Sequence, residues 1–140
     1  MRVLIDTCVL LDYIIDPDSL SNDVDAIFHD YDNTFYISAE TERELIVNFN
    51  TGGIASRVWK SAIEMIDAIH DEFFIETLPL KREHMRTYAH LEVNWAQGHK
   101  DPSDHVIISH AITEHLPLIS SDGKFDFYRK QGLDFIFNKR

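Results

Sequence analysis

The sequence predicts a three-layer α/β/α domain with a mostly parallel central sheet, and three observations carry that expectation. Short apolar runs alternate with longer amphipathic stretches along all 140 residues. The first run, Val3-Leu4-Ile5, is continuously apolar, as expected of a strand buried on both faces of a parallel sheet. Turn-forming clusters such as Asp16-Pro17-Asp18-Ser19 and Thr51-Gly52-Gly53 punctuate the chain.

Asp6 and Thr7 end the first run, and either side chain can accept from the free N–H groups of a following helix. Val9, Leu10, Tyr13 and Ile14 recur at helical spacing after them. A polar stretch follows, with a helix carrying Val24, Ile27 and Phe28 that ends at Asp30-Tyr31-Asp32-Asn33. Thr34-Phe35-Tyr36-Ile37 is a second strand. Ser38 stands at an N-cap, and a helix over Glu40 to Phe49 carries its acids early, where the helix dipole favours them. From Ala55 to about His70 the residues Val58, Trp59, Ala62, Ile63, Ile66 and Ile69 make another amphipathic helix. Phe73-Phe74-Ile75 is the third strand expected, closed by Leu78-Pro79-Leu80. A helix over residues 81–97 offers Met85, Tyr88, Ala89, Leu91 and Trp95 for burial. Asp101-Pro102-Ser103-Asp104 opens the next, with Asp101 at N-cap, Pro102 at N1 and Asp104 at N3. Pro117-Leu118-Ile119-Ser120 is a fourth strand, Phe125 to Arg129 a short helical turn, and Asp134-Phe135-Ile136-Phe137 the last strand. No repeat or linker divides the chain, so residues 1–140 are expected to form one domain.

The chain carries 13 basic and 24 acidic residues, a net charge of −11. Nucleic-acid binding normally rests on clustered Lys and Arg. The acidity argues against it unless carboxylates hold a metal, which then becomes the local positive charge. Cys8 is the single cysteine and has no internal disulfide partner, which fits a reducing cytoplasm. No apolar run is long enough to span a membrane and no signal-peptide pattern opens the chain.

Asp6 ends the first strand and Asp122 follows the fourth. Asp104 precedes Ile107 and Ile108 by three and four residues, so it faces the buried side of its helix. Glu44 borders the apolar face of the helix after the second strand. Right-handed crossovers bring the carboxyl ends of parallel strands to one sheet edge, where these acids should gather. Two unit charges about 4 Å apart repel by roughly 4 kcal/mol at an effective dielectric of 20. Protonation or a divalent cation must relieve this, and an all-oxygen donor set suits Mg²⁺ or Mn²⁺ better than zinc. Such a site is suited to phosphodiester chemistry. Each acid also has a purely architectural reading. Asp101 and Asp104 can stabilise a helix N-terminus by about 0.3–1 kcal/mol each, Asp122 can form an Asx turn before Gly123, and Glu44 can be a solvated helix residue.

Leu4-Ile5-Asp6-Thr7, Ile37-Ser38 through Glu44-Leu45, Asp101-Pro102-Ser103-Asp104 through Ala111, and Leu118-Ile119-Ser120-Ser121-Asp122 resemble, in order and spacing, the pattern of PIN-domain ribonucleases. The resemblance is closest to the VapC-type toxins of bacterial toxin–antitoxin pairs and spans nearly the whole chain. It implies a PIN-like fold and Mg²⁺- or Mn²⁺-dependent endonucleolytic cleavage of RNA, with Asp6, Glu44, Asp104 and Asp122 as the metal-binding acids. It also implies a homodimer and inhibition by a cognate antitoxin. Ser120 falls on the family's small hydroxyl residue, and Thr7, Ser38, Asp101 and Asp126 are further candidates around the acids, Asp126 as a substitute or assistant for Asp122. The family often has Asn where this chain has Cys8. Lys81, Arg82, Arg86 and Lys100, with Arg57 and Lys60, are the candidate contacts to RNA phosphates, although solvated helix faces explain most of them equally well. The alternative is a PIN-like RNA-binding or scaffold protein without catalysis, which retention of all four acids disfavours. Among the eight histidines, His105, His110 and His115 recur every five residues. That spacing rotates them around a helix, so no zinc site is expected from them.

Overall fold

The computed structural model describes residues 1–54 and 59–140. Five strands, β1 (Arg2–Ile5), β2 (Thr34–Ser38), β3 (Glu76–Leu78), β4 (Leu118–Ser120) and β5 (Phe135–Phe137), form one sheet among the described residues, in the order β3-β2-β1-β4-β5. Every adjacent pair is parallel, so the sheet expected to be mostly parallel is wholly so. The strand order reverses between β1 and β4, and open α/β sheets place their crevice at such a point, outside the carboxyl ends of the strands.

Period-2 alternation divides the strands between two cores. Val3, Ile5, Ile37 and Ile119 pack to one side, with Val9 and Leu10 of α1 (Thr7–Ile15), Val24 and Phe28 of α2 (Asn22–Phe28), and Met65 and Ile69 of α4 (Ala62–Asp71). Leu4, Leu118 and Phe135 pack to the other, under Ile107, Ile108 and Ala111 of α6 (Pro102–Glu114) and under Phe125 and Tyr128 of a 3₁₀ run, Gly123–Gln131. Val3, Leu4 and Ile5 are fully buried, which stabilises by about 1.5–3 kcal/mol per side chain. Helix α3 (Ala39–Asn50) begins at the carboxyl end of β2, and α5 (Arg82–His90) lies along α6.

Three elements depart from the sequence expectation. The third strand is Glu76–Leu78, not Phe73-Phe74-Ile75. The Ile75 N–H bonds to Ile69 O, and Phe74 has a φ of 56° with its ring 80% exposed. Two of the three apolar residues of this segment pack into the core, Phe73 edge-on to Tyr13 and Ile75 buried, and the edge strand that follows needs little apolar content. The helix expected over residues 81–97 stops at His90. Gln131 takes both the N–H and the C=O of Glu92, which diverts the backbone from helical pairing. A single 3₁₀ turn at Trp95–Gln97 follows, and Trp95 is exposed instead of buried. Within the stretch expected to be helical from Ala55, α4 begins only at Ala62, with Ser61 Oγ accepting from Glu64 N–H. Ile63 is exposed, and residues 55–58 lie outside the described residues.

Candidate metal centre

The backbone leaves β1 with the Asp6 N–H bonded to Ile119 O of β4, so Asp6 stands at the reversal point of the sheet. It is both the N-cap of α1 and a buried carboxylate, 4% exposed. Its Oδ1 accepts from Thr7 N–H at 2.8 Å, and its Oδ2 accepts from the Ser120 hydroxyl at 2.7 Å and the Cys8 thiol at 3.3 Å. Burial, with the charge of Asp104, pushes its pKa up to about 6 despite these three donors. The Cys8 thiol is thus a donor to Asp6. It is held up to about 12 by burial and by the Asp6 charge, so it stays protonated.

Ser38 Oγ accepts from Glu40 N–H at the start of α3, and Glu44 follows one turn later. Glu44 Oε1 accepts from the Thr7 hydroxyl at 2.7 Å, and Thr7 Oγ1 is 3.1 Å from Thr41 Oγ1. Burial raises Glu44 to about 7, helped by the charges of Asp6, Asp101 and Asp104 and opposed by the Thr7 hydrogen bond.

Asp101 and Pro102 start α6 as expected. Asp101 Oδ1 accepts from Ser103 N–H at 3.0 Å, which folds that carboxylate back onto its own helix. Asp104, in the first turn, accepts at Oδ2 from His99 Nε2 at 2.9 Å. Beyond β4, the Asp122 N–H donates to Ser120 Oγ at 3.1 Å and Asp122 Oδ1 accepts from Lys124 N–H at 2.9 Å. A His99 nitrogen and oxygens of Asp104 and Asp122 all lie within 4.8 Å of one another.

Asp6, Glu44, Asp101, Asp104 and Asp122 share an open cleft of about 330 Å³ with Thr7, Cys8, Leu11 and Asn48. Among the described residues no Lys or Arg forms an ion pair with Asp6, Glu44, Asp104 or Asp122. Glu44 Oε2, Asp104 Oδ1 and Asp122 Oδ2 accept no hydrogen bond there, so each offers an oxygen to the cleft. This donor set fits a hard divalent cation such as Mg²⁺ or Mn²⁺. Bringing acids from four separate parts of the chain to one cleft is what makes the set metal-like, since each alone is an ordinary cap or helix residue.

Other residues named from the sequence lie elsewhere. Ser38 is buried, caps α3 and sits 2.9 Å from His110 Nδ1, not among the acids. Asp126, the expected assistant to Asp122, is 70% exposed and bonds to Arg129 Nε at 2.7 Å, outside the cleft lining. Lys81 caps α5, and His84, three residues on, bonds to Glu114 at the far end of α6 from Asp104. Ten residues of α-helix correspond to roughly 15 Å of rise, so Lys81 and Arg82 are remote from the acids. Arg86 lines a separate groove with Thr87, His90 and Gln131. Lys100 is exposed between His99 and Asp101, at the cleft end of α6. Arg57 lies outside the described residues.

The sequence reading passed over His99 and Arg43. His99 stands two residues before an acidic N-cap, a spacing from which a side chain can reach back to the first turn, and that was the available signal. Arg43 bonds to Glu40 and to Ser103 Oγ. The hydrogen bond and charge of Glu40, then the charges of Glu44 and Asp101, hold its guanidinium above the ordinary value.

The PIN domain family model matches residues 3–131. The chain belongs to the PIN-domain family. Its fold is similar to that in VapBC2 from Rickettsia felis bound to a DNA fragment from their promoter, at 21% identity and a TM-score of 0.73, covering 99% of this chain and 100% of that one. It is also similar to VapBC-1 from nontypeable Haemophilus influenzae, at 21% identity and a TM-score of 0.65, covering 98% of each chain. A third similar structure is VapBC-5 from Mycobacterium tuberculosis, a member of the VapBC family of toxin-antitoxin systems. There the identity is 19% and the TM-score 0.57, covering 99% of this chain and 98% of that one. No curated protein matches the sequence. Among the described residues of this PIN domain, no helix is long and apolar enough to cross a membrane.

Proposed function

We propose that this PIN domain is a Mg²⁺- or Mn²⁺-dependent endoribonuclease and the toxin of a toxin–antitoxin pair, acting in the cytoplasm as a homodimer restrained by its cognate antitoxin. The observation that carries the reading is the convergence of Asp6, Glu44, Asp104 and Asp122 on one open cleft, with no Lys or Arg ion-paired to any of them among the described residues. The likeness in fold to VapBC complexes supports the antitoxin partner.

Held by Asp6, Glu44, Asp104 and Asp122, a divalent ion would supply charge neutralisation at the phosphodiester and would make an attacking water more acidic. The chain's own residues supply the positioning. Asp6 is held by donors from β4, α1 and its own cap, so its carboxylate is oriented before any ligand arrives. Thr7 ties Glu44 to the start of α1 and leaves Glu44 Oε2 facing the cleft. Burial raises Glu44 to about 7, so a cation entering the cleft would favour its ionised form. Attack of water on the phosphorus with the 3′ oxygen as leaving group, which takes up a proton, would leave a 5′-phosphate and a 3′-hydroxyl. Lys100, exposed just before α6, and Arg43 of α3, bonded to Ser103 in the first turn of α6, would meet RNA phosphates.

The test is sequencing of RNA ends after controlled expression, beside single-turnover cleavage in Mg²⁺ by the wild type and by Asp104→Asn. Metal-dependent cleavage lost in the variant is expected. Binding of RNA with no cleavage in either ion would replace this reading with the non-catalytic one.

A further inference from the structure

We propose that the cleft is set for one-oxygen coordination by each carboxylate, and that His99 enforces this at Asp104 and thereby makes the site prefer Mg²⁺ or Mn²⁺ to Ca²⁺. The inference rests on the reading of the cleft as a metal site. Ca²⁺ takes six to eight oxygens at about 2.3–2.6 Å and readily accepts a carboxylate through both oxygens, whereas Mg²⁺ demands a near-octahedral shell at about 2.0–2.1 Å. Chelation by both oxygens is therefore a mark of the larger ion.

Each acid already has an oxygen engaged by a donor that belongs to the fold. The donors are the Thr7 hydroxyl on Glu44 Oε1, Lys124 N–H on Asp122 Oδ1, and His99 Nε2 on Asp104 Oδ2. Asp6 carries a donor on each oxygen. A cation chelated by Asp104 through both oxygens would share Oδ2 with the His99 proton and sit beside its partial positive charge. One-oxygen binding at Oδ1 avoids that repulsion.

The His99 donor cannot turn away. An ionised Asp104 only accepts, so His99 Nε2 carries the proton of their hydrogen bond. Nδ1 lies 2.8 Å from the Tyr128 hydroxyl, whose oxygen accepts from Asn94 N–H at 3.1 Å. The ring is 3% exposed, with His105 edge-on at 4.9 Å and Phe125 at 5.4 Å between centroids. The His99 carbonyl is bonded to His105 Nε2 at 3.0 Å, which holds the backbone as well. Both polar ends of the ring are satisfied, and only one of the two faces the cleft. His99 is thus a positioning residue acting through Asp104.

The test measures Mn²⁺ and Ca²⁺ affinities separately, by calorimetry, for the wild type, His99→Leu, His99→Gln and Asp104→Asn. Leucine removes the donor, while glutamine can donate to Asp104 and accept from Tyr128. The Ca²⁺-to-Mn²⁺ ratio of dissociation constants should fall at least about tenfold in His99→Leu, the scale on which loss of a partner behind a ligand acts, and return towards the wild-type ratio in His99→Gln. Where His99→Leu does not fold, His99→Asn serves, because its shorter amide does not span to Asp104. An unchanged ratio in the donor-less variant, with both ions lost in Asp104→Asn, overturns the role of His99 and leaves the metal site standing. Equal loss of both ions in His99→Leu and His99→Gln overturns it too, since His99 would then be a ligand itself. Undiminished binding of both ions by Asp104→Asn refutes the metal-site reading and the inference with it.

Discussion

Replacing Asp6 by asparagine should make the metal-free protein more stable at pH 8 while abolishing RNA cleavage. Asp6 is raised from 3.8 to about 6 by burial and by Asp104. A pKa unit is worth about 1.4 kcal/mol, so the ionised carboxylate costs the folded state on the order of 3 kcal/mol. Asparagine removes the charge and keeps a carbonyl for the Thr7 N–H. It also turns an amide donor towards Ser120 and Cys8, and rearranging those contacts costs about 1 kcal/mol. The net gain expected is about 1–2 kcal/mol. The sign follows from the direction of the shift. A carboxyl whose folded pKa is raised is penalised wherever it is ionised, fully above about pH 7, and the penalty disappears as pH falls through 6 towards 3.8. Urea unfolding in chelator at pH 8 and pH 4 reads both halves. A variant no more stable than wild type at pH 8, or one whose advantage persists at pH 4, would refute the repulsion argument. Cleavage retained in Mg²⁺ would remove Asp6 from the mechanism.

A ligand of the folded state alone adds about 2.7 kcal/mol at a hundredfold excess over Kd. Millimolar Mg²⁺ or Mn²⁺ should therefore raise the melting temperature of the wild type, and an unchanged value counts against a working site. Asp101→Asn keeps its N-cap acceptor and should change stability and cleavage little, whereas Asp104→Asn should keep the helix and lose metal affinity. The reverse pattern in calorimetry and cleavage assays would mean that the ligand on α6 has been misassigned. His110 is buried with Nε2 unpartnered among the described residues, and burial, then the charge of His84, push it down from 6.5 to about 4. The folded chain therefore holds it neutral. The stability that this confers is complete above pH 6.5 and falls by up to about 3 kcal/mol as pH drops from 6.5 to 4. Ring titration by NMR checks the origin, and a His110 midpoint above 6 would contradict it.

The apolar run Val3-Leu4-Ile5, the caps Asp6, Ser38 and Asp101, and the alternation of apolar runs with amphipathic stretches are local properties, and they were enough to read the parallel sheet, α1, α3 and the start of α6 from the sequence. The order of the acids along the chain and the crossover rule were likewise enough to bring four of the five cleft acids, Asp6, Glu44, Asp104 and Asp122, to one sheet edge. What local pattern could not supply was competition for the same groups by distant partners. Phe73-Phe74-Ile75 has the composition of a strand, but the core claims Phe73 and Ile75 and the sheet pairs with the more polar Glu76–Leu78 instead. Residues 91–94 continue a helical pattern, but the Gln131 amide takes the Glu92 backbone from nearly forty positions away. Asp122 and Asp126 are two acids of one short segment, and only packing of the 3₁₀ run over the sheet turns the first into the cleft and the second towards Arg129 and solvent. His99 is the clearest case. Its spacing permits a reach to Asp104, but the group that holds its other ring nitrogen is the hydroxyl of Tyr128, 29 residues on, which only the fold brings there.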